Sequence, residues 1–263
     1  AMFVTLGSAC ATLIMDPIMI FHFGWGIQGA AVAHVTANTV ALAIGVHGIA
    51  VHHRFLNHLS LKALRRDFPA IWAIAFPAVL TQLATPFTIA YTTFAVAPYG
   101  TEAVSSSAII GRIVPVAFGI IFSLSGAVGP IIGQNFGAKD YVRVKQTLKD
   151  GLTFAAAYTL ITSLLLFLFR HPLADAFHLT GEARHYVLFF CTFIGVTWAF
   201  AGAQFVANAA FNNLGRPGLS TWFNWGKATV GTVPFAIVGS AMGGVTGMMA
   251  AVGVGSILFG VAS

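Results

Sequence analysis

Charge is scarce in this sequence. Aspartate, glutamate, lysine and arginine together make up 8% of its 263 residues, where a soluble domain carries about 25%. So little charge cannot keep a folded surface in water, which excludes an ordinary soluble domain and leaves lipid as the solvent. Cysteine is nearly absent too: Cys10 and Cys191 both fall in apolar runs, with neither metal-ligand spacing nor a disulfide framework. No positive stretch precedes the first apolar run, so the start Ala1-Met2-Phe3 reads as a cut through a longer protein rather than as a signal peptide. Strand-like alternation is missing, which argues against a barrel, the other structure that satisfies its backbone in lipid. Gly-x-Ser-x-Gly, His-Glu-x-x-His and Walker-type phosphate loops are missing as well. The chain is therefore expected to be no enzyme and to need no cofactor, with an ion gradient rather than ATP as its energy source.

What is abundant is apolar sequence: 57% hydrophobic residues and a mean hydropathy of +0.85. A bilayer core takes about 20 apolar residues in helical form. Eight segments of that kind lie at roughly 3–23, 27–51, 69–97, 103–133, 146–169, 184–211, 218–240 and 243–261, giving an all-α polytopic membrane protein. The net charge of +6 does not imply nucleic acid, because the cations cluster between apolar runs. Arg54, Lys62, Arg65 and Arg66 lie in the second connection, Lys139, Arg143 and Lys145 in the fourth, and Arg216 in the sixth; the alternate connections hold Arg170 and Arg184 beside Asp175, Glu182 and Glu102. Short cytoplasmic loops are enriched in Lys and Arg, so the second, fourth and sixth connections face the cytoplasm of a multi-pass protein in the cell (inner) membrane.

The two ends of the chain resemble each other. Asp16-Pro17 followed by Gly26-Ile27-Gln28-Gly29-Ala30-Ala31-Val32-Ala33 matches Val233-Pro234 followed by Gly244-Val245-Thr246-Gly247-Met248-Met249-Ala250-Ala251, 218 residues later. Internal repeats mark secondary transporters, and six helices from one copy to the next keep both in the same orientation. The expected organisation is the last two helices of an N-terminal lobe (1–53), a cytoplasmic inter-lobe linker (54–68) and a six-helix C-terminal lobe (69–263). Four helices of the first lobe are then missing partners.

The stretch Ala108-Ile109-Ile110-Gly111-Arg112-Ile113-Val114-Pro115-Val116-Ala117-Phe118-Gly119, with Ser125-Gly126-Ala127-Val128-Gly129-Pro130-Ile131-Ile132-Gly133-Gln134-Asn135-Phe136-Gly137-Ala138, resembles the multidrug and toxic compound extrusion (MATE) family. The resemblance runs over essentially the whole chain, and Gly-Gln-x-x-Gly-Ala at a helix exit is its most specific piece. It implies twelve helices in two lobes around a central cavity, and export of organic cations and other amphipathic compounds in exchange for protons or sodium.

Asp16 is the first candidate for ion coupling. It stands among Leu13, Ile14, Met15, Ile18 and Met19, and an ionisable residue inside a membrane segment marks function by default. A low-dielectric surrounding favours a neutral carboxyl group, which suits one that takes up and releases a proton. Pro17 removes a backbone donor beside it. The competing reading is a carboxylate capping or solvated near the non-cytoplasmic interface. The resemblance implies a first-lobe ion site at this Asp-Pro, usually with an Asn one turn earlier and a Thr on the next helix. Thr12 and His34 occupy those places, which puts sodium in doubt and favours a proton relay, histidine being the side chain that titrates near neutrality. His34 packed against Thr36 or Asn38 is the alternative. The second-lobe carboxylates of sodium-coupled members fall at Thr85 and Ala201, so no second-lobe sodium site of that type is expected.

Thr81, Gln82, Thr85, Tyr91, Gln204 and Asn208 are the remaining polar residues for a substrate cavity; 81/85 and 204/208 are each one turn apart. Interhelical hydrogen bonding explains the same spacing. Lys227 lies ten residues past Pro217, ~15 Å along a helix. That depth suits pairing with an acid of the missing helices or contact with substrate, whereas Arg112 is expected to snorkel. His47, His52, His53 and His58 raise a membrane di-iron enzyme as a rival, but His171, His178 and His185 fall on the opposite side, and no metal site is expected. A lipid-linked oligosaccharide flippase of the wider superfamily is the alternative within the transporter class.

Overall fold

The computed structural model describes residues 2–52 and 61–263, and within them every regular element is helical. Two compact units cover Ala1–Phe68 and Pro69–Ser263. His53, Arg54 and His58, with the linker as far as residue 60, lie outside the described residues.

The first unit is built on a helical hairpin. Helix α1 (Met2–Pro17) continues into a π-helical turn, Ile18–His22, and α2 covers Gly26–His47. Gly24 (φ 67°) and Gly26 (φ 52°) supply the left-handed backbone of the turn, which a side chain would strain. The buried residues of α2, Gly29, Ala33 and Ala37, recur every fourth position and form one small-residue stripe. Without a hydrophobic drive between helices in lipid, close backbone approach supplies the packing. Gly29 lies against the Met19 carbonyl, Gly7 against Ile44 and Gly45 against Val4. This antiparallel register puts Asp16 level with residues 32–35.

The second unit starts on α3 (Leu61–Val96), which begins before the unit boundary and runs through Pro69, Pro77 and Pro86. The segment expected as one helix at 103–133 is longer and broken: α4 (Thr101–Ala117) and α5 (Gly119–Gly137) meet at Phe118 (φ −113°, ψ 16°). Pro115 cannot donate to the preceding turn, and Gly119 follows, so the helix changes direction there. Helix α6 (Tyr141–Leu168) and the short α7 (Arg170–Ala176) come next. The run from α8 (Gly181–Phe189) to α9 (Trp198–Asn213) is interrupted by a π turn at Phe190–Ile194 and a 3-10 turn at Gly195–Thr197. Helices α10 (Pro217–Thr229) and α11 (Val233–Ala262) close the chain.

Three pairings set the register of this unit. Glu102 meets the start of α8, Phe118 stacks on Trp198 at 5.0 Å and Gly133 lies against Asn213, so α4–α5 runs parallel to α8–α9. Gly151 against Val206, Gly202 against Ala155 and Gly195 against Ser163 make α6 antiparallel to them. Helix α3 runs parallel to α10 and the first half of α11, through Thr81–Thr221, Leu80–Trp225, Tyr91–Val233 and Tyr99–Ser240. The core around α5 centres on Phe118, Ile121, Ile132, Val187 and Val206.

Among the described residues seven helical stretches are long and apolar enough to cross a membrane, the last being Pro217–Ala262. That stretch is two passes. Gly243 (φ −150°, ψ 26°) and Gly244 (φ 59°, ψ −139°) are not helical. Beyond them Gly247 returns against Gly239 and Gly255 against Gly231, and a methyl group on any of the four would overlap backbone or side chain of the opposite segment. Eight passes result, as the hydropathy of the sequence indicates. Val116, Trp222 and Phe94 project outward, at 85%, 79% and 75% exposure, as apolar residues do when lipid is the solvent.

Candidate functional site

In the first unit, Asp16 is half-buried at the end of α1. Among the described residues its carboxylate makes no hydrogen bond or ion pair. Pro17 and the π turn after it interrupt the regular bonding beside the acid, and π turns within α-helices are frequent at functional sites. Thr12, one turn earlier, is half-buried, and its hydroxyl donates to the Ser8 carbonyl at 3.0 Å. The hairpin register brings His34 level with Asp16, but no hydrogen bond joins them. His34 is exposed, because its neighbours Ala33 and Ala37 take the stripe against α1. Among the described residues the alternative partner Thr36 makes no bond to His34; its hydroxyl donates to the Val32 carbonyl at 2.8 Å.

In the second unit the predicted cavity residues separate into two groups. Thr81 joins helices: its hydroxyl bonds the Pro77 carbonyl at 2.8 Å and meets the Thr221 hydroxyl at 2.9 Å. The Trp225 indole donates to the Leu80 carbonyl at 2.8 Å, and Tyr91 reaches the Val233 carbonyl at 3.5 Å. Gln82 and Thr85 are exposed on the same helix, so the shared-face expectation for 81 and 85 does not extend to a shared environment. Gln204 is buried on α9 and donates to the Phe223 carbonyl at 3.3 Å. Asn208, one turn on, has a buried Oδ1 without a partner.

Lys227, in the last turn of α10, is half-buried and makes no side-chain hydrogen bond or ion pair among the described residues. Arg112 is exposed on α4.

Sequence reasoning passed over several polar residues here. Ser220 is 1% exposed and donates to the Asn208 carbonyl at 3.3 Å and to the Asn212 amide oxygen at 3.1 Å. Asn224 donates to the Ser220 carbonyl at 2.7 Å. The bonds that join α9 to α10 here are Gln204–Phe223, Ser220–Asn208 and Ser220–Asn212, and Asn224 bonds within α10. The repeat of polar residues at 204, 208 and 212, answered by 220 and 224, was the available signal. Thr159 and Ser163 of α6 also carry buried hydroxyls without partners among the described residues, Ser163 beside the break at Gly195. An open groove of about 390 Å³ lies elsewhere, along the first half of α4 and the turn before it, from Ala97 to Ala108, and its lining includes none of the predicted residues.

Residues 77–238 match the family model described as MatE. The chain belongs to the MatE family. A mutant of the Vibrio cholerae MATE transporter VcmN shares its fold at a TM-score of 0.86 with 25% identity, over 99% of this chain and 59% of that one. The FAD transporter of Shewanella oneidensis is 29% identical across this chain's full length and 59% of its own. The multidrug export protein MepA of Staphylococcus haemolyticus is 24% identical over 93% of this chain and 54% of its own. This MatE chain thus spans a little over half the length of these relatives. It is a multi-pass membrane protein of a transporter family, not an enzyme.

Proposed function

We propose that the chain is the larger part of a secondary antiporter that exports amphipathic organic compounds across the cell (inner) membrane in exchange for protons. Asp16 carries this reading: a carboxylate within an apolar helix, without a bonded neighbour among the described residues, directly before a proline and a π turn. A proton needs one basic group, whereas a metal cation needs a shell of oxygens. The Thr12 hydroxyl is engaged by its own helix, and His34 in place of an oxygen ligand favours the proton over sodium. Protonation neutralises Asp16 and changes how its helix packs, which biases one state of an alternating-access cycle. Four further helices complete the first lobe and the cavity. The names of two relatives, a FAD transporter and a multidrug export protein, both fit amphipathic organic cargo. The flippase alternative calls for Arg112 and Lys227 together on a cavity wall, and Arg112 stands exposed on α4. The test replaces Asp16 by Asn in the full-length protein in proteoliposomes and measures substrate-driven proton exchange. A loss of exchange to near background is expected, and undiminished exchange would sink the assignment.

A further inference from the structure

Lys227 poses a problem that the antiport reading does not solve. It sits well inside the segment Pro217–Ala262, and an isolated ammonium group in hydrocarbon is costly enough to need a partner. Its own unit offers none. That unit contains five acids, and none of them forms an ion pair with Lys227 among the described residues. Glu102 caps α8 by accepting from the Glu182 and Ala183 amides at 2.7 and 3.2 Å. Asp140 caps α6, and Asp150 accepts from Gln146. Asp175 pairs with Arg184, and Glu182 opens α8.

Lys227 is half-buried, and its position on the helix is turned away from that of Trp222, which is 79% exposed. Lys227 instead follows Ser220 and Asn224 at helical spacing, on the side that meets α9 through the Ser220–Asn208, Ser220–Asn212 and Gln204–Phe223 bonds. The antiparallel register of those bonds places Lys227 level with the start of α9, where Ala201 offers no polar group. On the α11 side Gly226 and Gly231 contact the Phe259 ring. A positive charge therefore lies on the side of α10 that meets the neutral polar residues Gln204 and Asn208 of α9, and Asn208 Oδ1 is buried without a partner among the described residues.

We propose that Lys227 is the counter-ion for an anionic group on the transported compound, so that the second unit selects organic anions over organic cations. This rests on the reading of the chain as a transporter of amphipathic compounds, and it names their charge class. The carboxylate or phosphate of the compound neutralises the ammonium, and Asn208, Gln204 and Asn224 hydrogen-bond the polar edge of its body. An organic cation would meet an uncompensated like charge in a medium that screens it poorly.

Three probes separate the possibilities on the full chain in lipid nanodiscs: flavin mononucleotide, riboflavin, which has the same ring system without the phosphate, and the organic cation ethidium. The expected result is at least tenfold tighter binding of flavin mononucleotide than of riboflavin. Lys227→Met is expected to bring the nucleotide down to the riboflavin level, and Lys227→Arg to keep the preference, with unfolding midpoints recorded to show that both variants are folded. Equal binding of the two flavins overturns the proposal. So does a preference that survives Lys227→Met, which would assign the lysine to a carboxylate elsewhere in the protein, or tighter binding of ethidium than of the nucleotide. Absence of binding by all three probes would remove the amphipath-transporter reading along with it.

Discussion

A threonine within a membrane helix ordinarily turns its hydroxyl to the carbonyl one turn back, as Thr12, Thr36, Thr88 and Thr192 do. Thr81 does so and also meets Thr221 across the helix interface. A double-mutant cycle on Thr81→Val and Thr221→Val, read by thermal unfolding, is expected to give a coupling of about 0.6 kcal/mol, the usual size for such pairs in membranes; zero coupling would mean that the two hydroxyls do not bond. Thr159 behaves differently, because its hydroxyl is buried and without a partner. Thr159→Val removes an unsatisfied polar group at constant shape, so the unfolding midpoint should stay level or rise by the equivalent of about 1 kcal/mol. A clear fall would reveal a partner for the hydroxyl. Gln204, Asn208 and Lys227 were legible in the sequence because each interrupts an apolar run. Ser220 and Asn224 were not, since polar residues soon after Pro217 pass for the ordinary start of a helix.

At the scale of elements, glycine decides where helices approach and reverse. The contact of Gly239 with Gly247 brings backbone to backbone, where no flexible side chain can give way. Gly247→Leu should cost at least about 1–3 kcal/mol, the usual penalty for overpacking, and appear as a lower unfolding midpoint and poor yield. Gly218→Ala, at a position with open space around it, should change the midpoint little. Hydropathy located all eight passes because it registers length and apolarity. It could not register the break at Phe118 or the π turn at Phe190–Ile194, which change the hydrogen-bond pattern without changing composition. Pro115 and Gly119 were the visible signs of the first; nothing in the apolar run from Phe189 to Ile194 announced the second.

For the whole molecule, eight passes and the distribution of Lys and Arg predict an orientation that labelling can check. In a variant without Cys10 and Cys191, single cysteines at Lys139 and Arg216 should react with an impermeant maleimide from the cytoplasmic side. Cysteines at Gly100 and Glu182 should react from the opposite side, and a shared side for Arg216 and Glu182 would break the eight-pass topology. The assignment of ion coupling to Asp16 and of substrate charge to Lys227 then concerns a single cycle. That cycle is open to measurement in proteoliposomes of the full-length protein, in sodium-free buffer, with an imposed pH gradient and flavin mononucleotide as cargo. Proton-coupled export predicts accumulation of the nucleotide against its concentration gradient, collapse of that accumulation by a protonophore and no gain on adding sodium. Accumulation that persists after the proton gradient is dissipated, or that requires sodium, would contradict it.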